Sequence, residues 1–164
     1  MNTKNVVLTS IGLGLIVVMI VLIYNPFRFH QEPKVYNFAI ETADLRINDI
    51  EFVTYPNSLY LADHHLEVVG DNKHFTGVAY GLTIGGKSIL SISQADDPFM
   101  LPDSFQGKIY YSTRNLIQGV KVGPHDSVYV EIAYEVNGVP RKITGNVKVS
   151  DIVKSADQKK IIRL

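Results

Sequence analysis

The chain has 164 residues, 46% hydrophobic and 20% charged, with 12 Gly, 7 Pro and 9 Tyr, enough for one domain with a real core; collagen-like, low-complexity and wholly disordered chains are excluded. Its 16 basic residues balance 16 acidic ones, so it lacks the basic excess of a nucleic-acid binder. Cysteine is absent, which removes disulfide scaffolds, thiolate metal sites, Cys nucleophiles and lipid attachment through an N-terminal Cys.

Residues 1–5 form a short polar tail. Between Lys4 and Arg28 no residue is charged, and the centre of that run, Val6–Tyr24, reads VVLTSIGLGLIVVMIVLIY. A helix of about 20 residues crosses the roughly 30 Å hydrocarbon layer, and in lipid a lone segment can satisfy its backbone only as a helix. A transmembrane helix over 6–24 is therefore expected, with the lipid bilayer as its partner. Tyr24, Phe27 and Phe29 suit the interfacial aromatic belt, and Pro26 sits where the helix should stop. The alternative is a cleaved signal peptide. Its apolar core is usually about 7–15 residues long and ends in small residues, whereas NPFRFHQEPK follows this longer run. The segment reads as a signal anchor in the cell membrane, with a short inner N-terminus and the domain on the extracytoplasmic side. Residues 25–34 are a juxtamembrane linker.

From residue 35 to about residue 150 the texture is short apolar runs of period 2, punctuated by Gly, Pro, Asn and Asp, which reads as strands. Strands are expected over Val35–Glu41, Leu45–Tyr55 with a bend near Asn48-Asp49, Ser58–Val69, Gly107–Thr113 and around Leu116–Val122. A hairpin at Gly77–Ile84 and Lys87–Gln94 turns at Gly85-Gly86, with Leu82 meeting Ile89 and Ala79 meeting Ile92; its two faces differ little in polarity, which indicates an inner strand pair covered on both sides or an imperfect register. The clearest unit is Ser127–Val149. Val128, Val130, Ile132, Tyr134 and Val136 share one face, and Asn137-Gly138 suits a type I′ turn. A two-residue loop then pairs Val136 with Val139, Ile132 with Ile143 and Val128 with Val147.

About seven such strands indicate an all-β fold: one immunoglobulin/fibronectin-like β-sandwich over 35–150, with a small barrel as the alternative. Val122-x-Pro124 leading into Val128-Tyr129 resembles the corner entering a late strand of fibronectin type III-like sandwiches, with the aromatic one position away. Without Trp or a Cys pair, an antibody-type domain is not supported.

Gly81-Leu-Thr-Ile-Gly-Gly-Lys87-Ser88 satisfies the phosphate-loop pattern, but that chemistry needs a glycine turn opening a helix, and Ile-Leu-Ser-Ile-Ser follows. A hairpin turn is expected there. His64 and His65 are adjacent on a strand, so they point to opposite faces; only one could join His74 at a metal. His30 and His125 fall in the linker and a loop. Asp96, Asp97 and Asp103 lack the spacing of a calcium loop, and no G-x-S-x-G elbow is present. No catalytic, cofactor-binding or metal-binding residue is assigned.

Ala95–Phe105, ADDPFMLPDSF, interrupts the strands with two prolines yet carries Phe99, Met100 and Leu101 between acidic residues. These three are the candidate partner contact, since adaptable apolar groups with a charged rim suit a contact surface; alternatively Phe99 or Leu101 plugs the open end of the sandwich. Residues 151–164 form a basic tail, with Lys154, Lys159, Lys160 and Arg163 against Asp151 and Asp157. A frayed, solvated end is the expectation for it, with contact to anionic lipid or wall polymer as the alternative. The functional expectation is a membrane-anchored binding or scaffolding accessory of a membrane-associated assembly, with a protein partner. The competing class is an anchored hydrolase or metal-dependent enzyme whose site is assembled from distant residues.

Overall fold

Alternation of apolar and polar side chains produces strands over most of the described residues. The computed structural model describes residues 32–100, 107–152 and 160–164. The expected span Val6–Tyr24 lies outside them, as do Leu101 and Asp103. Among the described residues no helix is long and apolar enough to cross a membrane. In chain order the strands are β1 (Lys34–Glu41), β2 (Leu45–Tyr55), β3 (Ser58–Leu61), β4 (His64–Val68), β5 (Phe75–Ile84) and β6 (Lys87–Gln94). Then come β7 (Lys108–Tyr111), β8 (Asn115–Gln118), β9 (Ser127–Val136), β10 (Val139–Lys148) and β11 (Lys160–Arg163). Short 3₁₀ turns occupy Pro98–Met100 and Val149–Asp151.

Two sheets form. One is seven-stranded, ordered β11-β1-β2-β3-β8 with β4 joined to β2 and β7; the other is four-stranded, β10-β9-β5-β6. Their apolar faces share one core in a sandwich-like all-β fold, with Phe38, Phe52, Leu59 and Leu66 from the first sheet and Phe75, Leu82, Val130 and Ile132 from the second. Enclosing each such side chain contributes roughly 1.5–3 kcal/mol.

The Ser127–Val149 hairpin has the expected register, Val136↔Val139 through Val128↔Val147, and Asn137 and Gly138 take φ of 51° and 77°. The β5–β6 hairpin also turns where expected, with Gly85 and Gly86 at φ of 56° and 76°. Its register is the imperfect one. Thr83 faces Ser88, but Leu82 faces Leu90 and Ala79 faces Ser93, because β6 holds one extra residue at a bulge. Ile89 and Leu90 are consequently both buried, and Ile92 lies opposite Tyr80 rather than Ala79.

The bend in β2 is a bulge at Asn48-Asp49, with Asp49 at φ 58°. It changes which residues face the core: Leu45 and Ile47 before it, Ile50, Phe52 and Thr54 after it. β2 keeps one register against its neighbours, from Tyr55↔Ser58 to Leu45↔Val68, so β3 and β4 are two halves of a single returning strand. That strand switches parity at the facing level, burying Leu59 and Leu61, then His64 and Leu66.

The C-terminal end departs from the solvated tail expected of it. Lys160–Arg163 is β11, paired in parallel with β1, and Leu164 N–H donates to Glu41 C=O at 3.0 Å. Leu164 reaches the four-stranded sheet at Gly145, where a Cβ would lie 2.5 Å from its Cδ2. Local charge content suggested a free end, but pairing with β1 satisfies the backbone, and the absent side chain at Gly145 makes room for Leu164. A row of alternating charges crosses the same sheet. Arg163, Glu41, Arg46, Glu67 and Lys108 stand directly opposite one another on β11, β1, β2, β4 and β7. Arg46 Nε donates to Glu41 at 2.6 Å and its NH1 to Glu67 at 2.9 Å; Arg163 lies 3.3 Å from Glu41 and Lys108 3.5 Å from Glu67.

Candidate functional site

The apolar turn begins with Asp97, whose carboxylate organises its surroundings. Oδ1 accepts the Phe99 N–H at 2.9 Å, Oδ2 accepts the Phe75 N–H at 3.1 Å, and His74 Nδ1 lies 3.1 Å from Oδ2. The turn is thereby tied to the start of β5, and Met100 N–H returns to Asp97 C=O at 3.3 Å. Phe99 packs against the core, its ring 5.2 Å from that of Phe75. Met100, the next residue, is 75% exposed. Neighbouring residues thus differ: Phe99 lies inward and Met100 is presented to solvent, while Leu101 lies outside the described residues.

A polar cluster lies between the sheets. His64, 3% exposed, lies between Tyr80 of β5 and Tyr111 of β7, stacked on the Tyr111 ring at 5.4 Å and edge-on to Tyr80 at 5.7 Å. Thr113 Oγ1 donates its one proton to Ala62 C=O at 2.7 Å, so it accepts from His64 Nδ1–H at 3.2 Å. The other ring nitrogen, Nε2, then accepts a hydrogen bond from the Tyr80 hydroxyl at 2.6 Å. Burial, and after it the charge of His65, lowers the His64 pKa from 6.5 to about 4, against the smaller opposing pull of Asp63. Burial also pushes Tyr80 and Tyr111 upward, so the cluster is neutral around pH 7. Tyr111 closes it by donating to Gln94 Oε1 at 3.1 Å. Neutral, enclosed and fully hydrogen-bonded through both ring nitrogens, His64 joins the two sheets.

His64 and His65 do point to opposite faces. His65 is on the outer face, 3.0 Å from Asp49 and beside the Tyr110 ring. A second, part-buried link joins Tyr134 to Asp44 at 2.8 Å, with Lys73 Nζ 2.7 Å from the other carboxylate oxygen. Burial works to raise the Asp44 pKa, but the Lys73 and Tyr134 hydrogen bonds together with the charges of Lys73 and Arg141 outweigh it and the net shift is downward. Sequence reasoning missed both links. Their signal was an apolar face interrupted by His64 and Tyr134, legible only once the parity of β3–β4 and the partner sheet are known.

The phosphate-loop match is a hairpin. Lys87 turns its ammonium to Gly119 C=O at 2.8 Å, and the following residues form β6 rather than a helix. The outer face of the four-stranded sheet carries small residues, Gly77, Ala79, Gly81 and Ala133, which leave two adjoining depressions of about 540 and 280 Å³. Comparison of the chain with protein-family models, with curated proteins and with solved structures finds no match.

Proposed function

We propose that this chain is a single-pass protein of the cell membrane, anchored through Val6–Tyr24. It displays its β-domain on the extracytoplasmic side as a binding or scaffolding accessory of a membrane-associated assembly. Anchoring rests on the uncharged run between Lys4 and Arg28. The immunoglobulin/fibronectin-like form of the sandwich is supported by the order β10-β9-β5-β6, which runs as G-F-C-C′ does in variable-type domains. The observation that carries the binding role is Met100. It is an unbranched, adaptable apolar side chain, three-quarters exposed, on a turn held by Asp97 below and Phe99 behind. The ionisable groups nearest the core serve the fold: His64 and Asp44 tie strands together, and Asp97 orders the turn.

A photoreactive residue at position 100, in the full chain in its own membrane, should link to one protein partner. The same residue at Asn146, on the exposed far side of the sheet, should not. Equal labelling at both sites, or none at Met100, would refute the contact. Anchoring is checked separately. High-pH washing should leave the protein in the membrane fraction, whereas its release into the wash would show peripheral attachment.

A further inference from the structure

The outer face of the four-stranded sheet is shaped by where its side chains are small. Read across β10, β9, β5 and β6, one level is Lys142–Ala133–Ala79–Ser93 and the next is Thr144–Glu131–Gly81–Ser91. Ala79 and Ala133 face each other on the two inner strands, where branched or aromatic side chains usually stabilise a sheet. Glycine at 77 and 81 lets β6 approach closely, since an added Cβ would lie 3.2 Å from Ala95 O and 3.3 Å from Leu90 O. Both depressions on this face have Ala79 and Ala133 in their lining. Their charged lining is balanced, with Glu131 and Glu135 against Arg141 and Lys142. Lys142 holds Glu131 at 2.9 Å. The smaller depression adds the hydroxyls of Thr83, Ser91 and Ser93 and the ring of Tyr129, which is 38% exposed. A depression on the outer face of the seven-stranded sheet is unlike it, because Asp49, Glu51 and Asp63 line it against Arg114 alone.

We propose that this face is a binding groove for a neutral, β-linked oligosaccharide lying along β5. Three observations select that class. The balanced lining gives no net attraction to an anionic or a cationic polymer. β5 and β9 are inner strands whose backbone groups are used in the ladder, so an added peptide strand would find no partners on this face. What the groove offers is hydroxyls, a carboxylate fixed by an ammonium, and an aromatic ring beside an apolar floor. A pyranose with equatorial hydroxyls has the matching surface. Its apolar C–H face suits Ala79, Ala133 and Tyr129, and its polar edge donates to Glu131 and exchanges hydrogen bonds with Ser91 and Ser93. Gly77 to Thr83 spans roughly 20 Å at about 3.4 Å per residue, which gives room for more than one sugar unit. The groove is independent of the contact proposed at Met100.

The test is calorimetric titration of the full chain in nanodiscs with cellohexaose and chitohexaose, the β-linked hexasaccharides of glucose and of N-acetylglucosamine. At least one should bind, and empty nanodiscs should give no heat. Tyr129→Ala should weaken that binding about tenfold. Ala133→Leu fills the floor shared by both depressions and should abolish binding. Its side chain is on the outer face, so the melting temperature should not fall. Met100→Ala should bind the sugar as the native chain does. Failure of both hexasaccharides to bind at millimolar concentration overturns the proposal, and so does binding that survives both Tyr129→Ala and Ala133→Leu. A sulfated hexasaccharide bound as tightly as the neutral ones overturns the neutral class. Loss of sugar binding in Met100→Ala overturns the placement on this sheet.

Discussion

His64 shows how one buried side chain sets a pH response. The unfolded imidazole takes up its proton near pH 6.5, the folded one only near 4. Between those values the unfolded chain binds more protons, so stability is complete above 6.5 and falls as the pH drops toward 4. At 1.36 kcal/mol per pKa unit the full loss is about 3 kcal/mol. Urea midpoints between pH 7 and 4.5 should fall for the native chain and lose most of that slope in His64→Gln; an equal slope in both would place the titration elsewhere. Tyr80→Phe removes the donor to Nε2 and leaves a buried acceptor unpaired, which should cost roughly 1–3 kcal/mol at pH 7. That adjacent histidines face opposite ways follows from strand geometry alone. Which of them faces inward follows from the parity switch at Ala62-Asp63, and residues distant in sequence produce that switch.

Single elements show the same division between local and distant causes. The Pro98–Met100 turn predicts unequal effects for two neighbouring apolar residues. Phe99→Ala removes a ring that packs beside Phe75 and, being only part-buried, should cost about 1–3 kcal/mol, below the range for a fully enclosed Phe. Met100→Ala should leave thermal melting unchanged, and a loss as large as that of Phe99→Ala would mean that Met100 is not free to meet a partner. The charge row makes a prediction about β11. Arg46 draws the Glu41 carboxyl below its ordinary pKa, and Arg163 adds to the effect. Glu41→Lys would set three cations side by side on β11, β1 and β2, and should speed hydrogen exchange at Ile161 and Ile162 more than at β9. Uniform exchange across both sheets would remove the row's part in docking β11.

At the scale of the whole molecule, the C-terminal strand completes the fold. Deleting Lys160–Leu164 exposes the outer edge of β1 and uncovers Gly145, and should lower the guanidinium midpoint by an amount equivalent to about 1–3 kcal/mol. A truncated chain that melts like the native one would show that β11 merely rests on the sheet. The two sheets are joined internally by His64–Tyr80 and Tyr134–Asp44, so a substitution at either link should loosen one sheet from the other before either unravels.

What the sequence alone determined was whatever nearest neighbours dictate. The Ser127–Val149 hairpin was legible to the residue because strict alternation and Asn137-Gly138 specify the same register. The strands from β1 to β8 were legible from alternation, with β3 and β4 read as one, and the Gly85-Gly86 turn and the all-β class were legible too. The β5–β6 register was only half legible, since a bulge adds one residue without altering composition. Tertiary structure alone decided that His64 is the inward histidine, that Phe99 and Met100 part company, and that the basic C-terminus is a strand. Each depends on a partner remote in sequence: Tyr80 for His64, Phe75 for Phe99, and β1 with Gly145 for β11 and Leu164. Local pattern encodes which way a side chain points along its own strand, but the surface it meets is supplied by another part of the chain.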